Sequence, residues 1–286
     1  MKLRSMLFVP GDSERKQGKA AGAGADALIL DLEDSVAASE KARAREVTAA
    51  AVRDEARGWK LFVRVNPFDS GLTMADLAAV VRPGLDGVML PKAEGPRDVE
   101  HLGHCLDALE AAAGMEAGTV AIALVATETP AAVFGLGGYA PHPRLAAVSW
   151  GAEDLSAALG ASDNREADGG WTSPYEQVRT LALLAARAAG AAPVDTLMAD
   201  FRNLDALAED CRRSRRDGFT GRLAIHPDQV PVINAGYQPT EDEVAHARQV
   251  VAAFEASPGV GTVGIGGKMY DLPHLKAARG VLERAR

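Results

Sequence analysis

Cysteine is scarce in this 286-residue chain: Cys105 and Cys211 stand far apart and form no CxxC pair. That argues against a disulfide framework and fits a reducing cytoplasm. No segment approaches the roughly 20 consecutive apolar residues of a membrane span. The first apolar run stops at Pro10-Gly11, too short for the core of a secretory signal. Positive charge is also in deficit. Lys and Arg number 31 against 39 Asp and Glu, a net charge of -8, which excludes a general nucleic-acid surface. The one basic cluster, Arg212, Arg213, Arg215 and Arg216, reads as a solvated helix end complementing the dipole. Internal repeats are absent, and so are low-complexity tracts beyond alanine enrichment. The stretch Gly264-Ile265-Gly266-Gly267-Lys268-Met269 is not a P-loop, which would need glycine at Thr262 and Ser or Thr at Met269. No Ser/His/Asp or Cys/His arrangement suggests a covalent nucleophile.

What the chain does have is eight short apolar runs, at residues 3–9, 27–30, 61–65, 87–90, 120–126, 146–150, 196–199 and 223–225. Most end in a residue able to do chemistry: Asp31 and Glu33, Arg64, Lys92, Glu128, Asp154, Asp200, His226. Helical patterns separate them, at 98–113, 175–189 and 204–216, and in a charged stretch from Ser39 and Glu40 to Arg57 that Gly58 closes. Gly190 ends one helix before Pro193 begins the next strand. Short strands apolar on both faces, alternating with helices, predict a (β/α)8 TIM barrel, an α/β fold whose site lies at the C-terminal rim. The barrel is expected over residues 1–230. Residues 231–286 read as a C-terminal helical extension, with a turn-rich segment at 227–239, a helix at 241–255, a glycine-rich hinge at 259–267 and a final helix from about Pro273. A hinge before a short helix suits a lid, or an arm reaching another subunit.

Glu128 and Asp154 follow adjacent strands. Two carboxylates with open positions suit Mg²⁺, a hard cation that keeps several waters. N-capping would use the same residues, and Glu153 beside Asp154 leaves the ligand ambiguous. Asp31, Glu33 and Asp34 are costly together unless paired; Lys41, Arg43 and Arg45 are candidate partners in a supporting network. Arg64, inside a buried strand, needs an anion or a developing negative charge, for which its planar fork is suited. His101 and His104 read as surface residues, and His226 as loop support at least as much as chemistry.

These segments occur in a recognisable order: Arg4-Ser5-Met6-Leu7-Phe8-Val9-Pro10-Gly11, Leu30-Asp31-Leu32-Glu33-Asp34-Ser35-Val36, Arg64-Val65-Asn66-Pro67, Leu90-Pro91-Lys92, Glu128-Thr129-Pro130, Gly151-Ala152-Glu153-Asp154-Leu155 and Ile225-His226-Pro227. The chain resembles the citrate lyase beta subunit (CitE-like) group of the HpcH/HpaI aldolase superfamily. The resemblance implies a Mg²⁺-dependent carbon–carbon lyase, trimeric or a dimer of trimers, acting on a coenzyme A thioester such as malyl-CoA or citramalyl-CoA, or on a citryl carrier-protein thioester. It implies Glu128 and Asp154, not Glu153, as metal ligands, and Arg64 as the substrate and enolate arginine. Pro91 and Lys92 belong to the substrate region, and Arg15 and Lys19 lie where the coenzyme A phosphates bind. Gly267-Lys268-Met269-Tyr270-Asp271-Leu272-Pro273 resembles the tail of the stand-alone acyl-CoA lyases, where an aspartate from a neighbouring subunit's lid is the acid/base; Asp271 matches it. Tyr270 departs from the expected aliphatic residue. The Asn164–Trp171 loop and Tyr270 are candidate specificity elements.

Overall fold

The computed structural model describes residues 1–53 and 56–285, in two units that part after Gly236. In the first, eight parallel strands close in chain order, each hydrogen-bonded to the next and β8 to β1. The order is β1 (Ser5–Pro10), α1 (Glu14–Ala21), β2 (Ala27–Asp31), α2 (Lys41–Ala51), β3 (Lys60–Arg64), α3 (Thr73–Val80), β4 (Gly87–Leu90), α4 (Pro96–Ala112), β5 (Ala121–Val125), α5 (Pro130–Gly135), β6 (Leu145–Ser149), α6 (Ala152–Leu159), α7 (Ser173–Ala188), β7 (Ala192–Asp195), α8 (Leu204–Asp217), β8 (Gly221–Ala224) and α9 (Gln229–Tyr237). This is the predicted TIM barrel. β2, β4 and β8 are buried at every position, as strands walled by helices outside and side chains inside must be. Met6, Ile29, Phe62, Met89, Val125, Val194 and Leu223 fill the interior, a packed core and not a pore.

Three expectations for the elements up to α9 are corrected. The seventh strand is Ala192–Asp195, and the run at 196–199 lies beyond its end. β7 is disguised by a proline and an aspartate. Pro193 keeps its place because its carbonyl still accepts from the Thr220 N–H at 2.9 Å. Asp195 is fully buried and tolerable there because Trp150 Nε1, Arg179 and Ser214 Oγ donate to it at 2.6, 3.0 and 2.6 Å. Second, α2 ends at Ala51, where the N–H of an extended Val52 donates to the Thr48 carbonyl, so Gly58 does not close it; Asp54 and Glu55 of that expected helix lie outside the described residues. Third, the turn-rich segment contains α9. Pro231 sits in its first turn, where a missing N–H costs no hydrogen bond, and the Gln229 side-chain Oε1 accepts from the N–H groups of Ile225 and His226.

The second unit holds α10 (Glu241–Glu255), an antiparallel hairpin of β9 (Thr262–Ile265) and β10 (Lys268–Asp271), and α11 (Leu272–Arg284). A capping box between Thr240 and Glu243 starts α10. The C-terminal part of the glycine-rich segment is therefore a strand and a hairpin turn. Gly266 and Gly267 both hold positive φ, 56° and 77°, the conformation of a two-residue turn matched to strand twist. Ala247, Val250, Phe254 and Ala278 form this unit's own core, with Val263, Ile265 and Tyr270 packed on it. No helix among the described residues is long and apolar enough to cross a membrane.

Candidate active site

Pairing register explains the first part of the rim. Asp31, the last residue of β2, is the Cα partner of Arg64, the last of β3. Arg64 Nε and Nη2 donate to the two oxygens of Asp31 at 2.7 and 2.8 Å, a bidentate fork. The Glu33 and Ser35 N–H groups also donate to Asp31. Burial alone would raise the Asp31 carboxyl, but Arg64 and these N–H groups hold it below the usual carboxylate range. Burial likewise opposes the Arg64 charge, and the acids override it. The Phe8 ring lies 4.7 Å beneath the guanidinium.

Glu33 bridges to the next strand end. Lys92 Nζ donates to its Oε1 at 2.6 Å. Its other oxygen lies 2.9 Å from Arg64 Nη1 without hydrogen-bond geometry, and is a buried oxygen with no hydrogen bond. Burial pushes the Glu33 carboxyl up, against the pull of Arg64 and Lys92. Asp34 is exposed, 3.8 Å from Arg64 Nη1. The supporting network thus exists, but its cations are Arg64 and Lys92. Lys41 instead donates to the Leu32 and Glu33 carbonyls and to Asn66 Oδ1. Arg43 pairs with Glu40 and Arg45 with Asp76. The acid side chains thus meet Arg64 from the paired strand and Lys92 from the rim, while the α2 cations find other partners.

Lys92 follows buried Pro91 and is the one described non-glycine residue with positive φ, 52°, a costly conformation that is common at functional sites. This turn brings its backbone N–H to Glu128 Oε2 at 2.5 Å while its ammonium sits 3.2 Å from Asp154 Oδ1. One residue thereby ties together Glu33, Glu128 and Asp154. Burial opposes the Lys92 charge, but these acids raise its pKa. Glu128 is buried, and desolvation pushes its carboxyl up to about 8; the Lys92 N–H and charge oppose the rise, and the charge of Asp154 adds to it.

Capping is excluded for both carboxylates. Thr129 caps α5 through its own side chain, and α6 begins at Ala152, two residues before Asp154. Asp154 lies in the first turn of α6, half-buried toward Lys92, whereas Glu153 is exposed and meets Asn164. A Cβ at Gly151 would stand 2.7 Å from the Glu128 Cγ, so this glycine keeps the carboxylate's place open. The donor set fits a hard divalent cation: two carboxylates, one of them too buried to ionise cheaply without one. Among the described residues no three His, Cys, Asp or Glu side chains could hold a metal alone, so water and substrate oxygens would complete the shell.

The other expected residues lie elsewhere. Arg15 and Lys19 are exposed on α1, immediately after β1. Asp271 belongs to the second unit, where it caps α11. His226 stacks on Phe201 and accepts the Asp228 N–H, a loop-supporting role. His101 is exposed and stacked on Phe68, and His104 is exposed. The residues missed from sequence are Asn66 and Asp76: Asn66 Nδ2 donates to Asp76 Oδ2 and to the Leu32 carbonyl while its Oδ1 receives Lys41. Asn66 stood beside Arg64 in the motif, and its place after a strand was the signal.

A mostly buried arginine, a bridging lysine and two carboxylates on the C-terminal rim of a closed barrel define a TIM-barrel enzyme built for an anionic substrate. The chain belongs to the HpcH/HpaI aldolase/citrate lyase family, whose model matches residues 4–227. Residues 172–286 also match a carbon–carbon bond lyase of the TIM-barrel fold. Citrate lyase subunit beta of Haemophilus influenzae is 36% identical, covering 100% of this chain and 98% of that protein. (3S)-malyl-CoA thioesterase of Cereibacter sphaeroides is 33% identical over 99% of this chain and 94% of its own length. The crystal structure of CitE from Mycobacterium tuberculosis in complex with magnesium, acetoacetate and coenzyme A superposes with a TM-score of 0.77 at 33% identity, covering 99% of this chain and 98% of that one.

Proposed function

We propose that this enzyme is a Mg²⁺-dependent carbon–carbon lyase. It cleaves, or forms, a 3-hydroxyacyl-CoA thioester such as malyl-CoA or citramalyl-CoA, giving acetyl-CoA and a 2-oxo acid. The observation that carries this reading is the convergence of Glu128, Asp154, Lys92 and Arg64 on one rim. Glu128 and Asp154 are the metal ligands. Bound there, Mg²⁺ would supply Lewis acidity toward the substrate's hydroxyl and carboxylate oxygens. Arg64, clamped by Asp31 through Nε and Nη2 and with Nη1 beside Glu33, supplies the fixed positive charge that stabilises the enolate oxygen that appears when the carbon–carbon bond breaks. Lys92 and Pro91 line the substrate region, and Asp31, Glu33, Asp34 and Lys41 support it. Arg15 and Lys19, one turn apart on α1, hold the coenzyme A phosphates. Asp271, matched by the Gly-Lys-Met-Tyr-Asp-Leu-Pro tail, exchanges the proton at the enolate carbon, contributed by a neighbouring subunit of a trimer or hexamer. The two free cysteines support a cytoplasmic location.

A second reading is a citrate lyase beta subunit acting on a citryl carrier-protein thioester, favoured by the full-length relatives of that name. The test is a panel of malyl-, methylmalyl- and citramalyl-CoA given to the purified protein with Mg²⁺ and no carrier protein. Acetyl-CoA or its homologue plus a 2-oxo acid is expected. Release of free CoA and the intact hydroxy acid would make the enzyme a thioesterase instead. No turnover of this panel, with turnover of citryl carrier protein supplied in a second assay, would favour the second reading.

A further inference from the structure

The second unit places an imidazole on Asp271. His274, in the first turn of α11, sits with Nδ1 2.5 Å from Asp271 Oδ1, and its backbone N–H donates to the same oxygen at 3.4 Å. Both contacts converge on Oδ1. Oδ2 receives no hydrogen bond from another described residue. The Asp271 N–H in turn lies 3.3 Å from Nδ1. This has the outline of a capping box, but the usual third residue is Glu or Gln. Around the pair, Tyr270 on β10 packs edge-on against His274 at 5.3 Å, and His246 on α10 lies 5.5 Å from Tyr270. The remaining charged neighbours in sequence are Lys268 on β10 and Lys276 on α11. The hydrogen bond from His274 holds the Asp271 carboxyl below the usual carboxylate range.

We propose that His274 is the positioning residue for Asp271, engaging Oδ1 so that the carboxylate is fixed in one orientation with Oδ2 presented to the substrate. The proposal rests on the reading of Asp271 as the acid/base. In the condensing direction Oδ2 takes a proton from the thioester's α-carbon, and the C–H electron pair moves onto the thioester oxygen as an enolate. In cleavage the same oxygen returns that proton to the enolate carbon. Tyr270 buttresses the imidazole on its other side.

The test uses the full-length enzyme, assayed for condensation across pH, with H274L, H274Q and D271N. D271N keeps the helix cap and should lose activity; wild-type turnover in it would overturn the acid/base reading itself. H274Q restores an ordinary capping box without the imidazole, so it separates capping from positioning. In both H274L and H274Q, kcat is expected to fall about tenfold, the size of a partial loss of acid–base catalysis. KM for the thioester should stay within about twofold, and the acidic limb of the pH profile should move to higher pH because Asp271 regains an ordinary pKa. If D271N is inactive while H274Q matches wild type in kcat and in its acidic limb, His274 is only a cap and the proposal falls.

Discussion

At the scale of single residues, the rim is governed by the cost of burying carboxylates. Glu128 is the sharpest case. With its carboxyl raised to about 8 by burial, it carries a proton at neutral pH, and a cation binding there must displace it. Magnesium affinity should therefore rise as pH increases toward about 8, with proton release below that. Calorimetry in two buffers of different ionisation enthalpy measures this; buffer-independent heats at pH 7 would contradict it. Asp31 has the opposite sign. Arg64 holds its folded-state pKa below the ordinary value, so its contribution to stability is full above that ordinary value and is lost as pH falls through the folded one. Asp31→Ala removes the bidentate partner of Arg64, leaving it Glu33 and Asp34, and should cost about 3 kcal/mol at pH 7, the low end for breaking a buried ion pair, read from denaturant melts. The mutant should also lose less of its remaining stability than wild type on acidification.

At the scale of elements, legibility followed hydrophobic patterning. Seven of the eight strands lay within a residue or two of apolar runs, and α8 and α10 were bounded nearly to the residue. β7 was displaced because Asp195 belongs to a polar network of Trp150, Arg179 and Ser214 that only the closed barrel assembles. The rim ion pairs were half legible. That three acids needed cations followed from charge alone, but which cations reached them depended on the β2–β3 register. The hairpin was not legible because glycine marks turns and hinges alike. Its two-residue turn offers a direct check: Gly267→Val places a branched side chain at a φ of 77° and should destabilise by about 1–2 kcal/mol. That loss should appear in hydrogen exchange of β9 and β10 and leave the barrel strands protected. An unchanged hairpin would contradict the turn assignment.

At the scale of the whole molecule, the account needs residues from two units. The barrel carries Arg64, Glu128 and Asp154, and the second unit carries Asp271. If Asp271 serves a neighbouring subunit, Arg64→Ala and Asp271→Asn proteins, each inactive alone, should regain part of the activity when unfolded and refolded together, because some mixed assemblies contain one intact site. No recovery, with mixed assemblies shown to form, would mean that each chain completes its own site. The central claim is that the paired carboxylates hold the catalytic cation. Lyase turnover of Asp154→Ala with excess Mg²⁺ tests it most directly. A loss of about a thousandfold is expected, the scale of removing one preorganised electrostatic group. A near-wild-type rate would contradict the claim.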